Sequence, residues 1–171
     1  MMRRVAGSMV ALGVMLLAAC GGDEGSSDGG NQPEVDSNAT VSVFEDHSLG
    51  WILVDSSGAA LYTSEQETDG TVRCVASCAA EWPPLTVDSG QEPTASGEVP
   101  GALGTVARED GTTQVTLDGV PLYTFNLDGE PGEVSGNGLS DAFDGTTFTW
   151  HVATASGAQV TATPEAPDFR Y

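Results

Sequence analysis

The sequence predicts a mainly β protein: a small antiparallel β domain with internal hairpin repeats and at most one short helix. Three observations point that way. Apolar residues recur at period two in short runs, tight-turn residues separate the runs, and no stretch carries the apolar stripe of a helix. Val41 and Val43 begin the first run, and Trp51–Thr63 reads as two strands around Asp55-Ser56-Ser57-Gly58. Thr113–Phe125 reads as two more around Asp118-Gly119, a pair suited to a two-residue hairpin. Pro121 falls inside the returning strand, so it belongs at an edge or a bulge, where its missing N–H is not needed. A third hairpin is expected over Phe148–Thr161, which aligns with Trp51 onward and sets Trp150 on Trp51, giving the two tryptophans equivalent places at the core rim. The one helix allowed is a turn or two around Ala76–Glu81, stopped by Pro83 and Pro84.

Outside this domain the composition changes. Arg3 and Arg4 precede an apolar run from Val5 to Ala19, which has the form of an export signal and is short for a membrane span. Leu17-Ala18-Ala19-Cys20 resembles a lipobox, so residues 1–19 are expected to be removed and Cys20 lipidated. Two acyl chains on that thiol would anchor a soluble domain. Residues 20–40 are rich in Gly, Ser, Asp and Asn, and read as a lipid-anchored flexible tether. The repeat β domain is placed at 41–161, enough for one modest core, with a C-terminal tail at 162–171 whose Phe169 and Tyr171 are available for docking.

The chain has 25 acidic and 5 basic residues, a net charge of −20, and all five basic residues are arginines. After Cys20 the 25 acids face only Arg73, Arg108 and Arg170, a net of −22. Such a surface repels nucleic acid and anionic headgroups, so neither is an expected partner. High-salt adaptation and a lysine-poor proteome explain the acidity equally well.

Several residues form an ordered pattern. Gly58 precedes Leu61-Tyr62-Thr63, and Cys74 and Cys78 precede Trp82-Pro83-Pro84-Leu85. Leu103-Gly104-Thr105, Arg108 and Asp110-Gly111 follow, then Asp118-Gly119, Pro121-Leu122-Tyr123-Thr124-Phe125 and Asp128. Pro131-Gly132, Gly136-Asn137-Gly138 and Trp150 close it. In this the chain resembles the bacterial secreted repeat lipoproteins of unknown function, whose repeat carries Tyr-x-aromatic-x-x-Asp. The resemblance implies Tyr62, Trp82, Tyr123, Phe125 and Asp128 as motif residues and an extracytoplasmic, membrane-attached location. It implies no reaction. The second motif is complete, whereas Ser64 and Glu67 stand in the first where an aromatic and an aspartate belong.

Cys74 and Cys78 admit three readings. In an oxidising compartment the simplest is one structural disulfide contributing ~2 kcal/mol. A redox-active pair would want Cys-x-x-Cys at a helix start, although Arg73 could activate Cys74. A copper or zinc site, Cys₂His or Cys₂His₂, would draw on His47 and His151, and alternation along the strand points His151 to solvent. For calcium, Glu65–Gly70 lacks the final glutamate of an EF-hand loop, and the copy from Asn126 has Pro131 at the glycine position. A looser set of Asp128, Glu130 and Glu133 remains. Asp128 has a plainer role available in capping the amides of residues 129–132, and Tyr62 and Tyr123 read as buried rings with bonded hydroxyls. Glu133–Leu139 lacks the lysine of a phosphate loop, and there is no Gly-x-Ser-x-Gly elbow.

The expected function is a membrane-tethered extracytoplasmic β domain, a non-enzymatic binding or structural module without a cofactor, engaging a cell-envelope or small-molecule ligand. The alternative is a small metal-binding or redox protein built on Cys74, Cys78, His47 and His151.

Overall fold

A computed structural model describes residues 35–155. Cys20 and the lipobox, most of the tether, and the chain from 156 onward lie outside the described residues. Strands β1 (Val41–Asp46) and β2 (Gly50–Asp55) form an antiparallel hairpin, followed by β3 (Tyr62–Ser64) and a 3₁₀ turn at Glu65–Glu67. Helix α1 (Ser77–Glu81) is the only helix longer than that turn among the described residues, and Pro83 and Pro84 stop it as expected. Then come β4 (Thr86–Val87), β5 (Ala95–Ser96), β6 (Leu103–Ala107), β7 (Thr113–Leu117), β8 (Val120–Pro121), β9 (Ser140–Phe143) and β10 (Thr146–Val152). They form three small sheets: β2-β1-β5, β3-β10-β9, and β4-β7-β6 with β8 also on β7.

Local chemistry explains most of these elements. Asp118 and Gly119 take φ of +50° and +83° in the β7–β8 turn, the conformation that suits a twisted two-residue hairpin. Asp144-Gly145 repeats this with +48° and +87°, so Trp150 lies in a hairpin with the strand before it, β9. The return strand expected after residue 155 lies outside the described residues. Order also begins before residue 41. Ala39 is buried, and the amides of Thr40 and Thr94 each donate to the other's hydroxyl, at 3.1 and 3.0 Å.

The internal repeat is a twofold one and differs from the alignment of Trp150 with Trp51. In one half, three amides form a closed ring of bonds: Leu53 N–H donates to Ala153, Ala153 to Leu61, and Leu61 to Leu53, at 2.7–2.9 Å. In the other half Val115 donates to Leu85, Leu85 to Leu122, and Leu122 to Val115, at 2.8–3.0 Å. Between the halves, Tyr62 and Tyr123 exchange both backbone bonds, at 2.8 and 3.0 Å. Superposing the rings matches Leu61-Tyr62 with Leu122-Tyr123 and Ala153 with Leu85. It therefore matches Trp150 with Trp82, three residues before each. Each repeat's tryptophan segment crosses over to complete the other repeat's hairpin.

Period-two alternation explains why both faces of these strands are buried. Leu53, Leu61, Val115, Leu122 and Ala153 face an aliphatic cluster with Val41. Their neighbours Ile52, Val54, Tyr62, Tyr123, Trp150 and Val152 face an aromatic one with Trp82 and the cysteines. Trp82 and Trp150 are fully buried, whereas Trp51 is 53% exposed. The expected equivalence of Trp51 and Trp150 fails because β10 is covered on that face and β2 is open at residue 51.

Candidate functional site

The motif residues meet at the pseudo-twofold axis. Trp82 and Trp150 stack at 4.0 Å and 11°, Phe125 stacks on Trp82 at 4.1 Å, and Phe148 lies near-parallel to Trp150 at 5.7 Å. Phe148 thus provides an outer ring on the side where Ser64 replaces the motif aromatic. Tyr62 meets Trp82 edge-on at 5.3 Å, and Tyr123 meets Trp150 likewise at 5.3 Å. Such edge and offset contacts add stability beyond the area they bury. Gly136 leaves room for the stack: a Cβ there would lie 2.6 Å from Trp82, and its amide donates to the Tyr62 hydroxyl at 3.2 Å.

Each tyrosine hydroxyl is assigned to the acid of the other repeat. Tyr62 donates to Asp128 Oδ2 at 2.7 Å. The Tyr123 hydroxyl and Glu67 Oε2 are both buried and lack a partner of full hydrogen-bond geometry. They adjoin one another: burial first, then the Glu67 carboxylate, pushes the Tyr123 pKa up. Burial and Asp128 do the same to Tyr62. The two acids share a further feature. Asp128 Oδ1 accepts the amide of Ser135 at 2.9 Å, and Glu67 Oε1 accepts that of Cys74 at 2.7 Å, each seven residues on. Glu67 also accepts the Arg73 amide. Glu67 therefore fills the motif's aspartate position despite the changed residue.

The capping expected of Asp128 falls to Glu133 instead, whose Oε2 accepts the amides of Gly129 at 2.8 Å and Glu130 at 3.2 Å. With Asp128 on Tyr62 and Ser135, and Glu133 on its own loop, Asp128, Glu130 and Glu133 do not converge. No group of three or more His, Cys, Asp or Glu residues suited to a metal lies among the described residues.

Cys74 and Cys78 form a disulfide, with Cα atoms 5.1 Å apart and both side chains buried. His47 sits exposed between β1 and β2. His151 does point away from Trp150 and Val152, but it is buried and does not reach solvent as expected. The 3₁₀ turn covers that face of β10, and Glu65 Oε1 lies 2.8 Å from His151 Nε2. The sulfurs are committed to each other and His151 to Glu65, so the four residues do not assemble.

A buried polar network escaped the sequence reading. Arg108, 5% exposed, donates to Gln114 Oε1 at 2.6 Å and to the Cys74 carbonyl at 2.9 Å. Gln114 donates on to the Leu122 carbonyl at 2.8 Å. Arg108 also reaches Asp110, whose pKa is held down to about 2 by Thr112 and then by the arginine. The available signal was Arg108 with Asp110-Gly111 inside the family pattern, in a chain with almost no other cations.

A polar groove lies elsewhere among the described residues. About 560 Å³ in volume, it runs between residues 37–40 and the β4–β7 edge. Asn38, Ser56, Thr86, Ser89, Gln91 and Thr113 give it hydroxyls and amides, and Asp88 is the one charged residue lining it.

Residues 104–154 match the family described as a secreted repeat of unknown function. Over those residues the chain is similar to a secreted lipoprotein repeat, which supports an extracytoplasmic, lipid-anchored location. No curated protein and no solved structure matches the chain.

Proposed function

For a chain carrying this lipoprotein repeat, we propose a non-enzymatic binding module held at the membrane, whose polar groove receives an uncharged, hydroxyl-rich molecule of the cell envelope. The observation that carries this reading is the groove lining. On a chain with 25 acids, this groove presents neutral hydroxyls and amides around one carboxylate. Charged ligands of either sign gain little from such walls, whereas a polyhydroxylated ligand finds donors and acceptors spaced along them. Its lining contains no histidine, cysteine or arginine beside its hydroxyls, and Asp88 is its one carboxylate. The motif residues support the fold beneath and stand back from solvent, in keeping with a scaffold role for them.

The test is titration of the mature chain with soluble neutral glycans of the envelope, followed by calorimetry and amide chemical shifts. Binding should perturb residues 86–91 and 112–113, and Asn38→Ala with Gln91→Ala should weaken it by about tenfold, ~1.4 kcal/mol. Saturable binding that leaves those amides unmoved, or no binding to any neutral glycan, would overturn the reading in favour of a structural module.

A further inference from the structure

A second surface stands apart from the polar groove and does not depend on it. Trp51, 53% exposed, lines a hollow of about 430 Å³ with Val43, Gly97, Glu98 and Ala155. Glu45 stands directly across from Trp51 on β1. The surface therefore pairs an exposed apolar ring with two carboxylates. Such a surface suits an aromatic or aliphatic segment that carries a cation.

The chain holds a segment of that description, and its path starts in the hollow. Ala155 N–H donates to the Trp51 carbonyl at 2.9 Å, so the backbone leaves the described residues beside the tryptophan. Downstream lie Phe169-Arg170-Tyr171, outside the described residues. Of the three arginines after Cys20, Arg73 pairs with Asp69 at 2.7 Å and Arg108 is buried on Gln114 and Cys74. Arg170 is the third. The 13 residues 156–168 separate Ala155 from Phe169; at up to about 3.3–3.6 Å each they permit the chain to double back onto the hollow with slack to spare. Tethering on one chain keeps the ends at high effective concentration, so even weak contacts are populated.

We infer that the chain's own C-terminal segment Phe169-Arg170-Tyr171 docks over Trp51, with a ring on the indole and the guanidinium between Glu45 and Glu98. Docking hides the largest exposed ring among the described residues.

Trp82 and Trp150 are buried, so collisional quenching by acrylamide reads Trp51 almost alone. The measurement compares the mature chain with one truncated after Thr161 and with Phe169→Ala/Tyr171→Ala and Arg170→Glu. Near-UV circular dichroism checks that all share one fold. The truncated chain should show a quenchable component that the full chain has lost; both tail variants should regain it. Trp51→Phe in the truncated chain should abolish it. Equal quenching with and without the tail overturns the proposal, as does a quenchable component that survives Trp51→Phe. Protection that fades on dilution overturns it too, since the covering segment would then belong to a second copy.

Discussion

Tyr62 with Asp128 and Tyr123 with Glu67 occupy equivalent places about the pseudo-twofold axis, yet the two pairs are built differently. Asp128 is only half-buried, and both of its oxygens hold well-formed bonds, to the Tyr62 hydroxyl at 2.7 Å and to Ser135. Glu67 is fully buried, with one oxygen on the Arg73 and Cys74 amides and the other left against Tyr123. The Glu67 side carries the disulfide and Arg108, which donates to the Cys74 carbonyl. The Asp128 side carries neither. The two halves can thus keep equivalent positions while changing the acid and its burial.

The largest effect should come from the axis itself, where the halves are most alike. Trp82→Ala and Trp150→Ala should each destabilise by ~3–5 kcal/mol, measured by denaturant unfolding. A strong effect at one tryptophan and a weak one at the other would break the equivalence of the two.

Next in size, and designed to separate the halves, are the carboxylates. Glu67→Ala leaves the buried Cys74 amide unsatisfied, deprives the Arg73 amide of its acceptor and opens a cavity beside Tyr123, and should cost about 3 kcal/mol or more. Asp128→Ala lets water replace the acid and should cost about 1–2 kcal/mol. The same unfolding assay reads both; equal losses would mean that burial does not distinguish them.

Alkaline pH treats the halves together. Both tyrosines have pKa values raised above the 10.0 of an unhindered phenol, by burial and then by the facing acid. The folded state therefore keeps two protons that the unfolded chain loses above pH 10. Stability contributed by these protons is complete below pH 10 and falls as pH rises beyond it, by up to about 1.4 kcal/mol per pH unit for each tyrosine. Unfolding midpoints from pH 9 to 12 should show this slope, and Tyr62→Phe or Tyr123→Phe should each remove about half of it. A flat profile in the parent protein would contradict the tyrosine–acid pairing.

Trp51 should give the smallest change. In the chain truncated after Thr161, where Trp51 stands exposed on β2, Trp51→Ala should shift stability by no more than about 0.5 kcal/mol. A loss matching that of Trp150→Ala would restore the equivalence that the fold denies.

Much of the architecture was legible because it rests on local chemistry. Asp118-Gly119 sets its own turn, Pro83-Pro84 ends α1, and alternation in Trp51–Thr63 marks strand faces. The disulfide was the simplest of three readings of Cys74 and Cys78 once Cys20 was set aside. The misreadings share one cause: periodicity tells which residues share a face and is silent about what covers it. His151 was placed on the correct face and given the wrong environment, because the 3₁₀ turn that covers it lies some 85 positions away. Trp150 was aligned by local similarity with Trp51, whereas its match to Trp82 exists only in the hydrogen-bond rings.

By itself, then, the sequence determined strands, turns and the export signal and favoured the thiol pairing, each governed by residues within a few positions of one another. Only the tertiary structure decided that each repeat lends its tryptophan segment to the other, that Glu67 serves as the motif acid, and that a neutral groove opens on an acidic chain. Those features arise from contacts between segments far apart in sequence, where burial and partner are set by packing and no local propensity records them.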